Sequence, residues 1–375
     1  MNSPIRRGGS AQLLRNGDAF LPAMIQALDE SQRSINWTTY IWSDGRMSDR
    51  ILAAMHRALD RGVEIRILLD HFGSLGSPTA HLDELKRRGA EIAVFRPPDL
   101  GHLARYHRRN HRRAVVVDGH AGFIGGAAVM DEWLGNAQDE TRWRDDMVRV
   151  DGPLARSLQS AFAQLWTATT GEILTGESHW PEDPPTTGEG DLITYHLSVV
   201  SSPSSGNYPI RTVHWMSVAS ATERLWITNP YFVPDQDLRD VLRERARAGV
   251  DVRLLTAGDN TDVGLVRWAS HRCYEELLEA GVRIYEYQPT MIHQKALVAD
   301  GVWSVVGSAN LDIRSEELNE ENLLAIADGG FAEALAKSFE LDLEEAKEIS
   351  LDAWRARPFW YPVRERLAAL IQEQL

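Results

Sequence analysis

Short apolar runs rich in β-branched and aromatic residues recur along this chain, each preceded by an amphipathic stretch, which for several of them ends in glycine. They come in matched pairs. Ser34-Ile-Asn-Trp-Thr-Thr-Tyr40 matches Arg224-Leu-Trp-Ile-Thr-Asn-Pro-Tyr231, and Arg61-Gly-Val-Glu-Ile-Arg-Ile-Leu-Leu69 matches Ala248-Gly-Val-Asp-Val-Arg-Leu-Leu255. Arg88-Gly-Ala-Glu-Ile-Ala-Val-Phe95 likewise matches Ala280-Gly-Val-Arg-Ile-Tyr-Glu-Tyr287. The first pair reads as strands following amphipathic helices, and the other two pairs each read as a helix end, a glycine at the C-cap, and a strand. The alternation predicts α/β layers, with a largely parallel or mixed sheet in each half. Further on, Asp191 to Val200 reads as a short strand and Gly330 to Ser350 as helix.

The pairing implies an internal duplication, and 375 residues suit two cores better than one. The offset between the copies is 192 at Gly89 and Gly281 but 182 at His111 and His293, so the first half carries ten extra residues between Pro97 and about Asn110. That insertion reads equally well as a lid beside the histidine or as a plain surface loop. Gly171 to Tyr208 is rich in Gly, Pro, Ser, Thr and acids, which is connector chemistry. The expected division is 1–172, a connector 173–208, and 209–375. The last segment, Trp354 to Leu375, has an aromatic and aliphatic stripe suited to packing on its own half or to lying on a bilayer surface.

Within the duplication sits a repeated cassette. The second copy runs His293-Gln294-Lys295, four residues, Asp300, then Gly307-Ser308-Ala309-Asn310. The first runs His111-Arg112-Arg113, four residues, Asp118, then Gly125-Gly126-Ala127-Ala128. On a strand, residues two apart share a face, so each imidazole is expected to project beside its cation, Arg113 or Lys295. Gly126, Ser308 and Asn310 offer backbone and side-chain donors for an anion. Two such halves facing each other supply one histidine to attack phosphorus and another to protonate the leaving oxygen, with the cations stabilising the non-bridging oxygens. Each histidine also needs an acceptor on its second nitrogen. Asp145, in Trp143-Arg-Asp145, and Glu321, in Asn319-Glu-Glu321, follow the cassettes at similar spacing and are the candidates. No acid and histidine cluster has metal-ligand spacing, so the expected chemistry uses no metal and no cofactor.

Composition changes this picture little, apart from charge. Apolar residues make up 43% and charged residues 25%, an ordinary globular profile, and the single Cys273 leaves no disulfide framework. The formal charge of −14 argues against a polyanion partner such as nucleic acid. The run from His102 to Arg113 is basic nonetheless; such runs are most often solvated faces, but this one leads into the first cassette and reads as an anion site. No run approaches the roughly 18–20 apolar residues of a spanning helix, and no signal-peptide stretch follows Arg6 and Arg7.

These residues resemble the phospholipase D superfamily, with its duplicated His-x-Lys-x4-Asp motif, and within it the bacterial cardiolipin synthases. The strings that carry the resemblance are Asn229-Pro-Tyr-Phe-Val-Pro-Asp235, Tyr285-Glu-Tyr-Gln-Pro289, Met291-Ile-His-Gln-Lys295, Val305-Val-Gly-Ser-Ala-Asn-Leu-Asp-Ile-Arg-Ser315 and Leu318-Asn-Glu-Glu321. The first half adds Asn110-His111-Arg112, Phe123-Ile-Gly-Gly126 and Trp143-Arg-Asp145. The resemblance implies two tandem α/β/α sandwich halves related by a pseudo-twofold around one active site, and a phosphatidyltransferase acting through phosphohistidine. It implies His111 as nucleophile, His293 as general acid and base, and a structural rather than chemical part for Asp118 and Asp300. It further implies a phosphatidylglycerol-like substrate and peripheral attachment to the inner face of the cell membrane from the cytoplasm. Two positions depart from the family: Arg113 stands where it has Lys, and Ala128 where it has Asn. Competing readings are a hydrolytic phospholipase D, another phosphodiesterase, and a non-catalytic phospholipid-binding relative.

Overall fold

The computed structural model describes residues 4–97, 108–182, 194–202 and 206–369. In the first half, β1 (Arg6–Arg7), β2 (Ser10–Arg15), α1 (Asn16–Glu30), β3 (Ser34–Thr39), α2 (Arg46–Asp60), β4 (Glu64–Asp70), α3 (Thr79–Arg87) and β5 (Glu91–Phe95) lead to β6 (Ala114–Val117), β7 (Ala121–Gly125), β8 (Asp146–Asp151) and α4 (Pro153–Thr170). The second half runs β9 (Tyr195–Val200), α5 (Pro209–Ser220), β10 (Arg224–Thr228), α6 (Gln236–Arg247), β11 (Asp251–Ala257), α7 (Gly264–His271), α8 (Tyr274–Glu279) and β12 (Arg283–Tyr287). It continues with β13 (Ala296–Ala299), β14 (Trp303–Gly307), β15 (Asn322–Ala327), α9 (Gly329–Leu343), β16 (Ala346–Ile349), α10 (Leu351–Arg355) and α11 (Tyr361–Ala369).

The strands form two mixed sheets, ordered β2-β8-β7-β6-β3-β4-β5 and β1-β9-β15-β14-β13-β10-β11-β12-β16. The matched runs of the sequence are the parallel strands β3-β4-β5 and β10-β11-β12. Alternation along these strands sorts side chains to two faces. Ile65, Ile67 and Leu69 join Val115 and Val117 beneath α1 and α2, whereas Leu68 faces α4. Val116, Ile124 and Val148 share a core with Trp226, Val298, Leu324 and Phe339, so apolar surface from both halves is buried in one continuous layer between the sheets.

Several expectations need correcting. The helix expected over 330–350 stops at Leu343, and Ala346–Ile349 instead pairs antiparallel with β12. The expected connector is structured at both ends. Glu172 and His179 hold Arg66 of the first sheet, and β9 pairs with β15. The N-terminal β1 leaves its own half to pair with β9. The 191–193 end of the expected strand, the basic residues 102–107 and most of the ten-residue insertion lie outside the described residues. In the C-terminal segment α11 packs on α7, with the Arg364 guanidinium 4.3 Å from the Trp268 ring, while Phe359 stays exposed.

Candidate active site

Each cassette is built on an antiparallel hairpin, β6-β7 or β13-β14. The hairpin turns are Asp118-Gly119 and Asp300-Gly301, all four residues in the left-handed region, as a tight two-residue turn requires. With the backbone so turned, the Asp118 carboxylate accepts the backbone N–H groups of Gln32, Arg33 and Ser34. Asp300 accepts those of Thr222, Glu223 and Arg224. These aspartates, to which the family resemblance assigns a structural part, sit at the ends of β6 and β13 remote from the histidines, where they tie the hairpin to β3 and β10. The histidines and cations sit just before those strands. Residues 111–113 and 293–295 are not ladder residues, contrary to the strand placement the spacing suggests.

What holds those segments is the opposite half. The His111 N–H donates to the Glu320 carbonyl at 2.9 Å, and the His293 N–H to the Arg144 carbonyl at 2.7 Å. In each case the acceptor immediately precedes a candidate orienting acid. The acids then cross over. His111 Nδ1 lies 2.7 Å from Glu321 Oε1, and His293 Nδ1 lies 3.0 Å from Asp145 Oδ2. Spacing alone places each acid after the histidine of its own half; the fold delivers it to the other.

The cations complete one cluster. Arg113 Nη2 is 2.8 Å from His111 Nε2, and Lys295 Nζ is 2.9 Å from His293 Nε2. All six groups are buried apart from a 12% exposure of the His111 side chain. Ser308 Oγ donates to Glu321 and so supports the acid rather than facing the cavity. Gly126 acts likewise through its missing side chain: a Cβ there would stand 2.6 Å from an Asp145 carboxylate oxygen, closer than atoms tolerate. Asn310 lines the cavity, and its Oδ1 has no partner among the described residues; neither has Arg113 Nη1. Ala128, at the position equivalent to Asn310, is buried in the first core instead.

Electrostatics follow from this burial. Loss of solvent, reinforced by the Arg113 charge, lowers the His111 imidazole to about 4 despite Glu321. Burial, Lys295 and Arg113 hold His293 well below its ordinary value. Burial and Arg113 depress the Lys295 ammonium, and burial raises the Asp145 carboxyl. Glu321 stays below its usual range because His111 and Ser308 outweigh its burial. The formal charges of Asp145, Glu321, Arg113 and Lys295 cancel, and burial keeps both imidazoles neutral. An arriving phosphodiester adds one negative charge and favours protonation of one imidazole.

The cluster floors a cavity of about 220 Å³. Its other walls include Arg109, from the basic run read as an anion site, and residues to which the sequence assigned no role. Trp133 and Trp143 pack on His293 with ring centroids at 5.2 and 5.4 Å, and Tyr40 meets His111 edge-on at 5.1 Å. Val263, Val266, Ala269 and Ile313 supply an apolar wall, and Arg109, Asp312 and Arg314 a polar one. A signal was present for the tyrosines, because Tyr40 and Tyr231 close matched repeat segments. Among the described residues, Asp44, Asp49 and His81 have ligand atoms close enough to share a cation, but they are exposed and not part of this cavity.

Comparison with known proteins identifies the family. Residues 24–166 and 216–343 match the family described as cardiolipin synthase, PLD-like domain. The chain is 32% identical to a cardiolipin synthase of Geobacillus thermodenitrificans over 99% of its own length and 74% of the relative's. It is 34% identical to cardiolipin synthase A of Pseudomonas fluorescens over 98% of this chain and 75% of that one. Among solved structures it resembles a phosphatidylserine synthase of Haemophilus influenzae, with TM-score 0.76 at 14% identity, covering 100% of this chain and 98% of that one. A polyphosphate kinase of Porphyromonas gingivalis aligns with TM-score 0.61 at 10% identity, over 98% of this chain and 54% of the other. At those identities the structural likeness speaks for the fold.

Proposed function

This chain belongs to the cardiolipin synthase family of phospholipase D-like proteins and is a phosphatidyltransferase of that type, and we propose that it works through a phosphatidyl group held on His111. The crossed cluster carries the reading: each Nδ1 faces a buried carboxylate of the opposite half, with Lys295 Nζ about equally close to both nitrogens of His293, and we take the two Nε2 atoms as the reactive nitrogens on one cavity. His111 Nε2 attacks the phosphorus of an anionic phospholipid and forms a P–N bond. The P–O bond to the departing alcohol breaks, and His293, protonated once the phosphate has entered, gives that oxygen its proton. An acceptor lipid alcohol then binds. His293 takes its proton, the new alkoxide attacks phosphorus, and the P–N bond breaks to return His111. Arg113 and Lys295 neutralise the non-bridging oxygens through both steps, with Asn310 as an additional polar contact.

The substrate is a phosphatidylglycerol-like lipid, for which the apolar wall from Val263 to Ala269 provides a surface that a nucleic-acid backbone would not use. The protein works at a membrane surface, on the inner face of the cell membrane. No helix of the described residues is long and apolar enough to cross a membrane. The test is acid-sensitive trapping. After reaction with phosphatidylglycerol carrying a labelled phosphate, the denatured protein is expected to hold label on the peptide containing His111, stable in base and lost in acid. His293→Ala should allow little or no turnover. Label on the peptide containing His293 would exchange the roles, and turnover without any adduct would refute the covalent route.

A further inference from the structure

The two cassettes are related by a pseudo-twofold, yet the reaction they serve has a donor and an acceptor with different roles. The cavity wall breaks the symmetry accordingly. Arg109 and Arg314 both line it, one from each half, but their repeat equivalents are Met291 and Glu132. These arginines are additional to the pair that contacts the histidines.

Both are held by built features. The Arg109 guanidinium carbon lies 3.5 Å from the Phe72 ring centroid, and the Arg109 carbonyl accepts the Glu320 N–H at 2.8 Å. Arg314 opens the π-helical turn Arg314–Leu318, a distortion common at functional sites. That turn is anchored from behind by Glu316 on His214 at 3.0 Å and by Glu317 on Arg211 at 3.6 Å. Tyr40 links this wall to the reaction centre. Its ring meets His111, and its phenol, raised by burial and by Asp70, feels the opposing charges of Arg109, Arg314 and Arg113.

The charge balance at the histidines accommodates one phosphodiester. A second anionic phosphate in the same cavity needs cations of its own. We propose that Arg109 and Arg314, which line the same cavity as Tyr40, form a second phosphate subsite that holds the unreacting phosphodiester of the acceptor lipid. These two arginines would then set the preference for a phospholipid acceptor over a bare alcohol. Asp312 lies on the same wall and offers an acceptor for a hydroxyl of the glycerol joining that phosphate to the reacting oxygen. Arginine suits the position, since its fork engages two phosphate oxygens at once.

This rests on the phosphatidyl-transfer reading, and one experiment separates the two. Phosphatidylglycerol serves as donor in mixed micelles with isotope-labelled glycerol also present. Two products are counted: the lipid with two phosphates, and phosphatidylglycerol carrying exchanged labelled glycerol. Arg109→Gln and Arg314→Gln should each lower the ratio of the two-phosphate lipid to exchanged lipid about tenfold, through a higher KM for the acceptor lipid, with Arg→Lys recovering part of it. Equal loss of both products would assign the arginines to the donor or to folding and overturn the proposal. An unaltered ratio would overturn it too. Failure of the unmodified protein to form either product would instead remove the transfer reading itself.

Discussion

Glu321→Gln tests the crossed arrangement most directly, because it alters a histidine that belongs to the other half. The substitution keeps the side-chain shape but removes the charge that His111 Nδ1 faces at 2.7 Å. Glu321 also takes the Ser308 hydroxyl and lies within the field of Arg113. A hydrogen bond to a charged partner contributes about 1.5–3 kcal/mol, or roughly 10- to 150-fold in rate if it is fully expressed in the transition state. Glutamine can also donate to Nδ1 and so hold the wrong tautomer, an effect that reaches about 10⁴ where a triad acid is replaced by its amide. The expected result is a fall in kcat of about 10²–10⁴ with little change in KM, and a matching fall in the rate at which label accumulates on His111. Asp118→Asn is the control. It weakens three backbone hydrogen bonds in the same half as His111, and should lower thermal stability by about 1–2 kcal/mol, as loss of a helix cap does, while leaving turnover per folded molecule within severalfold. Initial rates, together with melting curves for both variants, decide the matter. A folded Glu321→Gln protein within threefold of the wild-type kcat would refute orientation across the halves. A hundredfold loss in folded Asp118→Asn would return that aspartate to the chemistry.

Gly126→Ala forces a methyl to within 2.6 Å of the Asp145 carboxylate, so it should disturb His293 and cost at least tenfold in kcat, measured at equal folded fraction. Arg113→Lys should stay within severalfold of wild type, because Lys295 already reaches its own histidine from the equivalent position at 2.9 Å. Arg113→Ala should lose about 10²–10³ in kcat, as when an oxyanion donor is removed; parity of Ala with wild type would show that the first half contributes no charge. Melting temperature should fall as pH drops from about 6.5 towards 4. With His111 at about 4 in the folded protein and near 6.5 unfolded, the unfolded chain binds more protons across that window, so stability rises with pH through it. His111→Ala should reduce the slope in that window, with His293 and His196, also depressed by burial, supplying the remainder, and an unaltered slope would assign the effect to those other groups.

The layered architecture was legible because it rests on local chemistry. Gly62, Gly89, Gly249 and Gly281 all take the positive φ that a helix C-cap needs, and the runs after them are the parallel strands. The histidines and cations were legible through repetition at fixed offset. The partnerships were not, since sequence distance carries no information about which half an acid faces: Asp145 and Glu321 find their histidines 148 and 210 residues away. Nor was the part played by Gly126 and Ser308, whose motif suggests anion donors but whose contacts run to the orienting acids. The β16 strand was missed because Ala346–Ile349 has exposed positions at Lys347 and Glu348, as an edge strand does, and no apolar run marks it.

The crossing also gives a physical reason for two halves in one chain. Each half carries a histidine, a cation and an acid, but its acid points away from its own histidine, so neither half contains an oriented imidazole without the other. Two identical chains meeting on a twofold would complete the same cluster, with every feature of the cavity duplicated. A covalent duplication frees each copy to vary. Here the first half exchanges Lys for Arg113, loses the polar side chain at Ala128, and contributes Arg109, where the second keeps Asn310 and adds Asp312 and Arg314. None of these differences touches the paired carboxylates or the hairpin aspartates, which both halves need equally. Arg109, Arg113, Asn310, Asp312 and Arg314 line the cavity, whereas Ala128 lies in the first core.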